Sequence, residues 1–218
     1  MRLGRLAHDP GRLARVPAHM SAELPPPSSL PREGLVWTPT LAHNDVLPDC
    51  TVAALANSLR VWALLQGFDE AINDDALLAY YAARAGCKDT IAAMAATNGL
   101  VALDLLEHAA VNGFDVGQQV APVPNFASVP ANDLSAMRDA IDVRGSLYLG
   151  VNLYEDDMNL SKPWTGTPGN GLVGGHMVLV WAYTENQFRI ATWGMHMTAD
   201  RAWVMSRAAE AYSVGWSQ

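Results

Sequence analysis

Cys50 stands where a reactive thiol would be useful. It follows "LPD" and begins the helix-forming run "CTVAALANSLRVWALL". A thiol in the first turn of a helix lies near free backbone N–H groups and the positive end of the helix dipole, and both lower its pKa. The alternative is a small buried thiol, the usual fate of a cysteine, and position alone favours it.

His176 supplies a base that would pair with such a thiol. It precedes the β-type run "MVLVWAY" and follows two glycines, of which Gly175 lets a substrate or another backbone approach closely. The next β-type run, "QFRIATWG", carries Thr192 near its end. A thiol at a helix start, an imidazole on a strand and a polar group on the neighbouring strand form a nucleophile, a base and an orienting group.

The elements that must position these residues fall into two halves. Apolar residues at three- and four-residue spacing predict helices in "TVAALANSLRVWALLQGF", "NDDALLAYYAARAG", "DTIAAMAATNG", "LVALDLLEHAAVNGF" and residues 132–142. Runs rich in Val, Leu, Tyr and Trp predict strands in "SLYLGVNLY", "GHMVLVWAY" and "QFRIATWG", followed by a short helix and a final strand. Helices first and antiparallel strands second indicate an α+β fold.

Residues 1–35 differ from the rest of the chain. They combine Arg, Pro and Gly without apolar periodicity, and "LPPPSSLP" favours extended polyproline geometry. We expect an extended arm that is either disordered or laid along a partner, followed by one domain over residues 36–218.

Composition excludes several classes of function. The net charge is −8, and because the excess acid lies in the domain, a nucleic-acid surface is not expected there. No apolar run is long enough to cross a membrane, and no apolar segment of a signal peptide follows the first arginines. We expect a soluble protein that is not exported by a signal peptide.

Neither a metal nor a cofactor is expected. The histidines lack HExxH spacing and the two cysteines lack CxxC spacing. The glycine-rich segment before His176 leads into a strand and lacks a P-loop lysine, so it is no phosphate cradle. Cys87, beyond the helix stop at Gly86, is expected to be structural.

With these residues in place, the sequence resembles the papain-like cysteine peptidase superfamily over residues 36–215. The shared order is a Cys-led helix, a helical half and a β half with the histidine. Asn44 stands six residues before Cys50, and "ATWG" matches the Trp-Gly ending of the strand after the histidine. The resemblance implies an oxyanion held by Asn44 and the Cys50 N–H. It also implies that Trp193 and Gly175 flank the substrate.

One position departs from that superfamily. Ala191 stands where an asparagine is expected to accept the Nδ1 proton of the histidine. Thr192 has an acceptor oxygen, but the next residue on a strand normally points to the opposite face, so a one-residue shift or bulge is needed. Asp200 is a second candidate for this orienting role. If none serves, either the Cys50–His176 pair works only weakly or the chain is a pseudoenzyme.

A closer resemblance is to papain-like proteins encoded by tailed phages and prophages. It rests on "HDPGR", "NDVLPDCTVAA", "GGHMVLVWAY" and "ATWG", with Pro48 where those proteins have glycine. It implies a phage gene product of the host cytoplasm that is also carried in the virion, with the arm of residues 1–35 lying on a viral capsid or tail protein.

Three hypotheses remain open from the sequence. The first is a cysteine hydrolase that cleaves peptide or other amide bonds, with Cys50 labelled by iodoacetamide faster than Cys87. The second is a non-catalytic virion protein built on a papain-like scaffold and anchored by its arm. The third is a transglutaminase-like acyl transferase with Asp200 as the third catalytic group.

Overall fold

The computed structural model describes residues 3–20, 25–166, 168–169 and 171–217. The helices are α1 (Pro10–Leu13), α2 (Cys50–Leu65), α3 (Asp74–Ala85), α4 (Ile91–Ala95), α5 (Ala102–Asn112), α6 (Leu134–Arg144) and α7 (Arg201–Arg207), with a 3₁₀ turn at Glu155–Met158. The strands are β1 (Arg5–Leu6), β2 (Leu100–Val101), β3 (Phe114–Asp115), β4 (Val120–Ala121), β5 (Asn125–Ser128), β6 (Leu147–Tyr154), β7 (Leu172–Tyr183), β8 (Gln187–Thr192), β9 (Met195–Asp200) and β10 (Ala208–Gly215).

Helix α2 is the central element of the helical half. It is rich in alanine and apolar on nearly every side, which is typical of a helix buried in the core. One side packs against α3 and α5 and the other against β7 of the sheet. The Tyr148 hydroxyl donates to the carbonyl of Thr51 at 2.9 Å, which fixes the first turn of α2 to β6.

The second half is a six-stranded antiparallel sheet in the order β5-β10-β6-β7-β8-β9. In it Val151 of β6 pairs with His176 of β7. The predicted α+β class is therefore confirmed. His176 lies inside a strand that begins at Leu172, three residues before the predicted run, which starts at Gly175.

Strand β9 was not predicted from the sequence. It pairs with β8 through a tight turn in which Trp193 and Gly194 have φ angles of 46° and 70°. Two successive positive φ values are the signature of the turn that best fits the twist of a β-hairpin. Tryptophan rarely adopts this conformation, so the turn was hard to recognise in "ATWG".

The described part of the arm docks on the chain's own domain. Strand β1 pairs in parallel with β2. Further along, the His19 N–H donates to the Ser128 carbonyl at 2.7 Å, and the Leu30 N–H donates to the Tyr183 carbonyl at 2.7 Å. These bonds hold the arm along much of its length. Among the described residues, no helix is both long enough and apolar enough to cross a membrane.

Candidate active site

Cys50 is the first residue of α2, as its predicted position required. Its side chain is only 1% exposed. The sulfur accepts a hydrogen bond from the Met177 N–H at 3.4 Å and another from the backbone of Gly4 in the arm. Burial raises the pKa of Cys50 to about 12, although both backbone hydrogen bonds act in the opposite direction. With the arm in place, the thiol is therefore protonated at neutral pH.

His176 directly precedes Met177, whose N–H donates to the Cys50 sulfur. Its Nε2 is 2.7 Å from the Thr192 Oγ1, and its ring stacks on Trp193 with centroids 4.2 Å apart. Burial, and to a smaller extent the positive charge of Arg5, lower the pKa of His176 to about 3. Its Nδ1 is buried and has no hydrogen-bond partner within the described residues. That nitrogen is therefore the one free to accept a proton.

Thr192 occupies the place where an asparagine was expected, and Ala191 does not. The pairing of β7 with β8 shifts by one residue between Val180 and Ala182. Ala191 then packs on the opposite face in a cluster with Val61. This shift is the irregularity that the sequence required. The imidazole atom involved is Nε2, however, and not the expected Nδ1.

Asp200 does not reach the imidazole, which corrects the alternative orienting role considered for it. It pairs with Gln187 at the end of β8 away from Thr192. Its carboxylate accepts hydrogen bonds from the N–H groups of Trp203 at 2.6 Å and Gly166 at 3.1 Å. Asp200 is therefore the N-cap of α7.

Asn44 is buried in the turn that leads to Cys50. Its amide nitrogen donates to the Asp49 Oδ1 at 3.0 Å and to the Leu47 carbonyl at 3.3 Å. Both amide protons are thus used within the turn in this conformation. For Asn44 to donate to an oxyanion, at least one of these bonds must be exchanged.

Asp49 is the buried residue directly before the thiol. Its Oδ2 has no hydrogen-bond partner within the described residues, and burial raises the pKa of Asp49 to about 8. Asp49 could not be recognised from the sequence, because burial of a carboxylate in a Pro-Asp turn leaves no sequence signal.

We predict that Asp49→Asn makes the protein more stable above neutral pH. The unfolded carboxyl ionises near pH 4, whereas the folded one keeps its proton until about pH 8. The free energy of unfolding of the parent therefore falls as the pH rises through this window, whereas an asparagine carries no such penalty. Urea unfolding should give a difference in free energy of unfolding between variant and parent that is about 2–5 kcal/mol larger at pH 8 than at pH 4. Asp45→Asn, an exposed change in the same loop, is the matched control. A gap that does not change with pH would contradict the buried acid.

The arm passes directly over Cys50. Gly4 fits so closely that a Cβ on it would lie 1.8 Å from the Pro48 carbonyl oxygen. A Cβ on Gly175 would lie 2.6 Å from the carbonyl oxygen of Arg5. The glycine before His176 therefore makes room for an extended peptide, and in this structure the peptide is the chain's own arm.

Trp193 separates the imidazole from an open cavity of about 730 Å³. The lining of this cavity includes Thr40, Leu41, Asp74 and Gly194. Trp193 therefore borders both the imidazole and this cavity. Within the described residues no group of three or more His, Cys, Asp or Glu is arranged to hold a metal ion. Cys87 is a free thiol, half-buried beyond the Gly86 helix stop.

Comparisons with known proteins find similarity in structure and not in sequence. No protein-family model matches the chain, and no curated protein matches it. Xylellain, a cysteine protease from Xylella fastidiosa, is 13% identical with a TM-score of 0.73, and the match covers 99% of this chain and 96% of that one. Digestive procathepsin L 3 of the Tenebrio molitor larval midgut is 13% identical with a TM-score of 0.66, covering 97% and 75%. The Carica candamarcensis cysteine protease CMS1MS2 is 13% identical with a TM-score of 0.63, covering 88% and 100%. The chain has the papain-like fold.

Proposed function

We propose that the chain is a cysteine peptidase whose own arm closes its cleft. The observation that carries the proposal is a single arrangement. An extended peptide, the arm, covers a thiol at a helix start. The Met177 N–H donates to this thiol, and the residue before Met177 is His176, whose Nε2 faces Thr192. The similar structures named as cysteine proteases support the same class of chemistry.

With the arm displaced, water reaches the pair and the effects of burial are relaxed. The pKa of Cys50 then falls and that of His176 rises, because desolvation is the main cause of both shifts. The Nδ1 of His176 takes the thiol proton while the Thr192 Oγ1 accepts a hydrogen bond from the Nε2–H of the same ring. The thiolate attacks the carbonyl carbon of a peptide bond.

The remaining steps use the same groups. The Cys50 N–H lies in the first turn of α2 and has no acceptor within the helix, so it is available to the oxyanion. Asn44 joins it once its amide leaves the Asp49 carboxyl. His176 returns the proton to the departing amine, leaving an acyl thioester. A water molecule, deprotonated by His176, hydrolyses this thioester and frees the Cys50 thiol.

Virion location and phage origin remain proposals from the sequence resemblance. A virion scaffold role would use the arm on a capsid or tail protein, whereas the described arm is engaged with its own domain. The transglutaminase-like alternative needs Asp200, which caps α7. The hydrolase is therefore the function that the contacts support best.

The test uses the full chain carrying Gly4→Ala to open the cleft, with and without Cys50→Ala. Release of dye from a labelled casein is measured at pH 7. We expect hydrolysis that falls by at least about 10³-fold on loss of the thiol, in line with the cost of removing a nucleophile. Equal rates with and without Cys50 would overturn the proposal. So would absence of hydrolysis in a chain whose Cys50 is accessible to alkylation.

A further inference from the structure

The arm places an arginine in a buried acidic pocket beside the thiol. The Arg5 Nη1 donates to the Glu210 Oε1 at 2.7 Å, and its Nη2 donates to the Asn152 Oδ1 at 2.7 Å. The side chains of Arg5 and Glu210 are 6% and 0% exposed. Burying two charges is costly unless the pair is well formed and its remaining polar atoms are satisfied. Both Nη atoms of Arg5 are satisfied here, whereas its buried Nε has no partner within the described residues. The pocket therefore binds a guanidinium through its two ends.

Glu210 depends on the arm for its nitrogen partners. Its Oε2 accepts a hydrogen bond from the Tyr212 hydroxyl at 2.8 Å, which is a contact within β10. The two nitrogen partners, Arg5 and the His8 Nδ1 at 2.7 Å, both belong to the arm. When the arm leaves, a buried carboxylate is left facing the cleft without a cation.

The shape of the pocket suits a long, flat side chain. A Cβ on Gly150 would lie 2.8 Å from the Arg5 Cδ and 2.6 Å from the Glu210 Cγ. A Cβ on Gly175 would lie 3.0 Å from the Arg5 Nε. Two glycines thus form the walls. A carboxylate and an amide oxygen accept from the two ends of one guanidinium, a geometry that the single ammonium of lysine does not match.

The pocket has a fixed place relative to the chemistry. Gly4 makes the backbone hydrogen bond to the Cys50 sulfur, and Arg5 is the next residue. The carbonyl oxygen of Arg5 lies over Gly175, which directly precedes His176. An arginine held here is therefore one residue away from the residue that covers the thiol.

We propose that Glu210, Asn152, Gly150 and Gly175 form an arginine pocket, which selects peptide substrates with an arginine one residue away from the cleaved bond. This inference rests on the proposed function, since it names the substrate class of the same cleft. Arg5 occupies the pocket as the chain's internal substitute for that substrate side chain.

The first test measures cleavage by the full chain carrying Gly4→Ala. The substrates are two fluorescence-quenched peptides, one with Gly-Arg in the order of the arm and one with Arg-Gly in the opposite order. Each is compared with a citrulline counterpart, which has nearly the same shape without the charge. We expect kcat/KM to be at least about tenfold higher for arginine, given the strength of charge-assisted hydrogen bonds. Because the arm competes equally with both substrates, the ratio does not depend on how often the cleft is open.

Variants of the pocket locate the preference. Glu210→Gln should reduce the arginine-to-citrulline ratio to within about twofold, since it removes the charge and keeps the size. Asn152→Ala should lower the ratio while leaving the buried carboxylate in place, which covers the case in which Glu210→Gln fails to fold. Thermal unfolding of each variant identifies such a failure. A ratio unchanged in a folded Glu210→Gln chain would overturn the pocket.

A second measurement separates this inference from the proposed function. A fluorescent peptide with the sequence of residues 3–9, carrying arginine or citrulline at the position of Arg5, is bound to the full Gly4→Ala, Cys50→Ala chain. Tighter binding of the arginine form by at least about tenfold supports the pocket, even if no peptide is ever cleaved. Equal binding of both forms, with equal cleavage of both substrates, would overturn the pocket and leave the hydrolase intact.

Discussion

Gly4→Ala is expected to raise peptide hydrolysis by the intact chain by at least about tenfold. The new methyl group would stand 1.8 Å from the Pro48 carbonyl oxygen, which is backbone and has no side-chain rotation to relieve the overlap. The first residues of the arm must therefore move off Cys50. If the overlap weakens the free energy that favours the closed arm by about 1.4 kcal/mol, the fraction of chains with an open cleft already rises tenfold.

The change is well suited to this purpose because it lies outside the proposed catalytic group. Gly4 contacts the sulfur through its backbone, and the domain core does not depend on it. Gly34→Ala is the matched control, because a Cβ at Gly34 meets no atom within 4 Å. The initial rate of hydrolysis of labelled casein should rise for Gly4→Ala and stay at the parent value for Gly34→Ala. Equal rates for Gly4→Ala and the parent would show that the arm does not limit access.

Thr192→Ala is expected to lower kcat by about 10²–10³-fold in the Gly4→Ala chain. The hydroxyl is the partner of the His176 Nε2 at 2.7 Å, and its removal leaves a buried ring N–H without an acceptor. The imidazole then loses its preferred orientation and the stabilisation of its charged form. Loss of the orienting carboxylate of a serine protease triad costs about 10⁴-fold, which sets an upper limit for a neutral hydroxyl.

Thr192→Ser distinguishes orientation from packing, because it keeps the acceptor oxygen and removes only a methyl group. We expect serine to restore kcat to within about fivefold of the threonine parent, with KM little changed in both variants. The pH range over which kcat is high should narrow in Thr192→Ala, since an imidazolium without its acceptor has a lower pKa and stabilises the thiolate less. An alanine variant with full kcat and an unchanged pH profile would contradict the orienting role.

The sequence carried the class of fold and the main members of the site. Amphipathic periodicity located the helices. Helix α3 begins after its N-cap Asn73 and ends at Gly86, as the sequence predicted. Cys50, His176 and Thr192 were identified because a nucleophile, a base and an acceptor need particular residue types. These residue types can be recognised without knowledge of long-range packing.

The rest of the site depends on long-range packing that a local pattern does not carry. The register shift that selects Thr192 over Ala191 arises from pairing between β7 and β8. Gly4 closes the cleft over Cys50, and Arg5 pairs with Glu210, which lies about 200 positions further along the chain. The sequence showed an arm rich in arginine and proline, but nothing local indicated what the arm would cover.

Burial also reverses one expectation about reactivity. A thiol at a helix start suggested rapid alkylation of Cys50, yet in the closed chain it is 1% exposed and its pKa is raised to about 12. Cys87 is half-buried and open to reagent. We therefore expect Cys87 to react first in the parent chain.

The most direct test of the account follows iodoacetamide labelling of both cysteines at pH 7 by peptide mass spectrometry. The parent chain should label at Cys87 first, and the Gly4→Ala chain should label at Cys50 at least about tenfold faster than at Cys87. The reversal reports an activated thiol that the arm conceals. Slow labelling of Cys50 in both chains, with an equal rate at Cys87, would contradict the claim that the arm closes a working cysteine site.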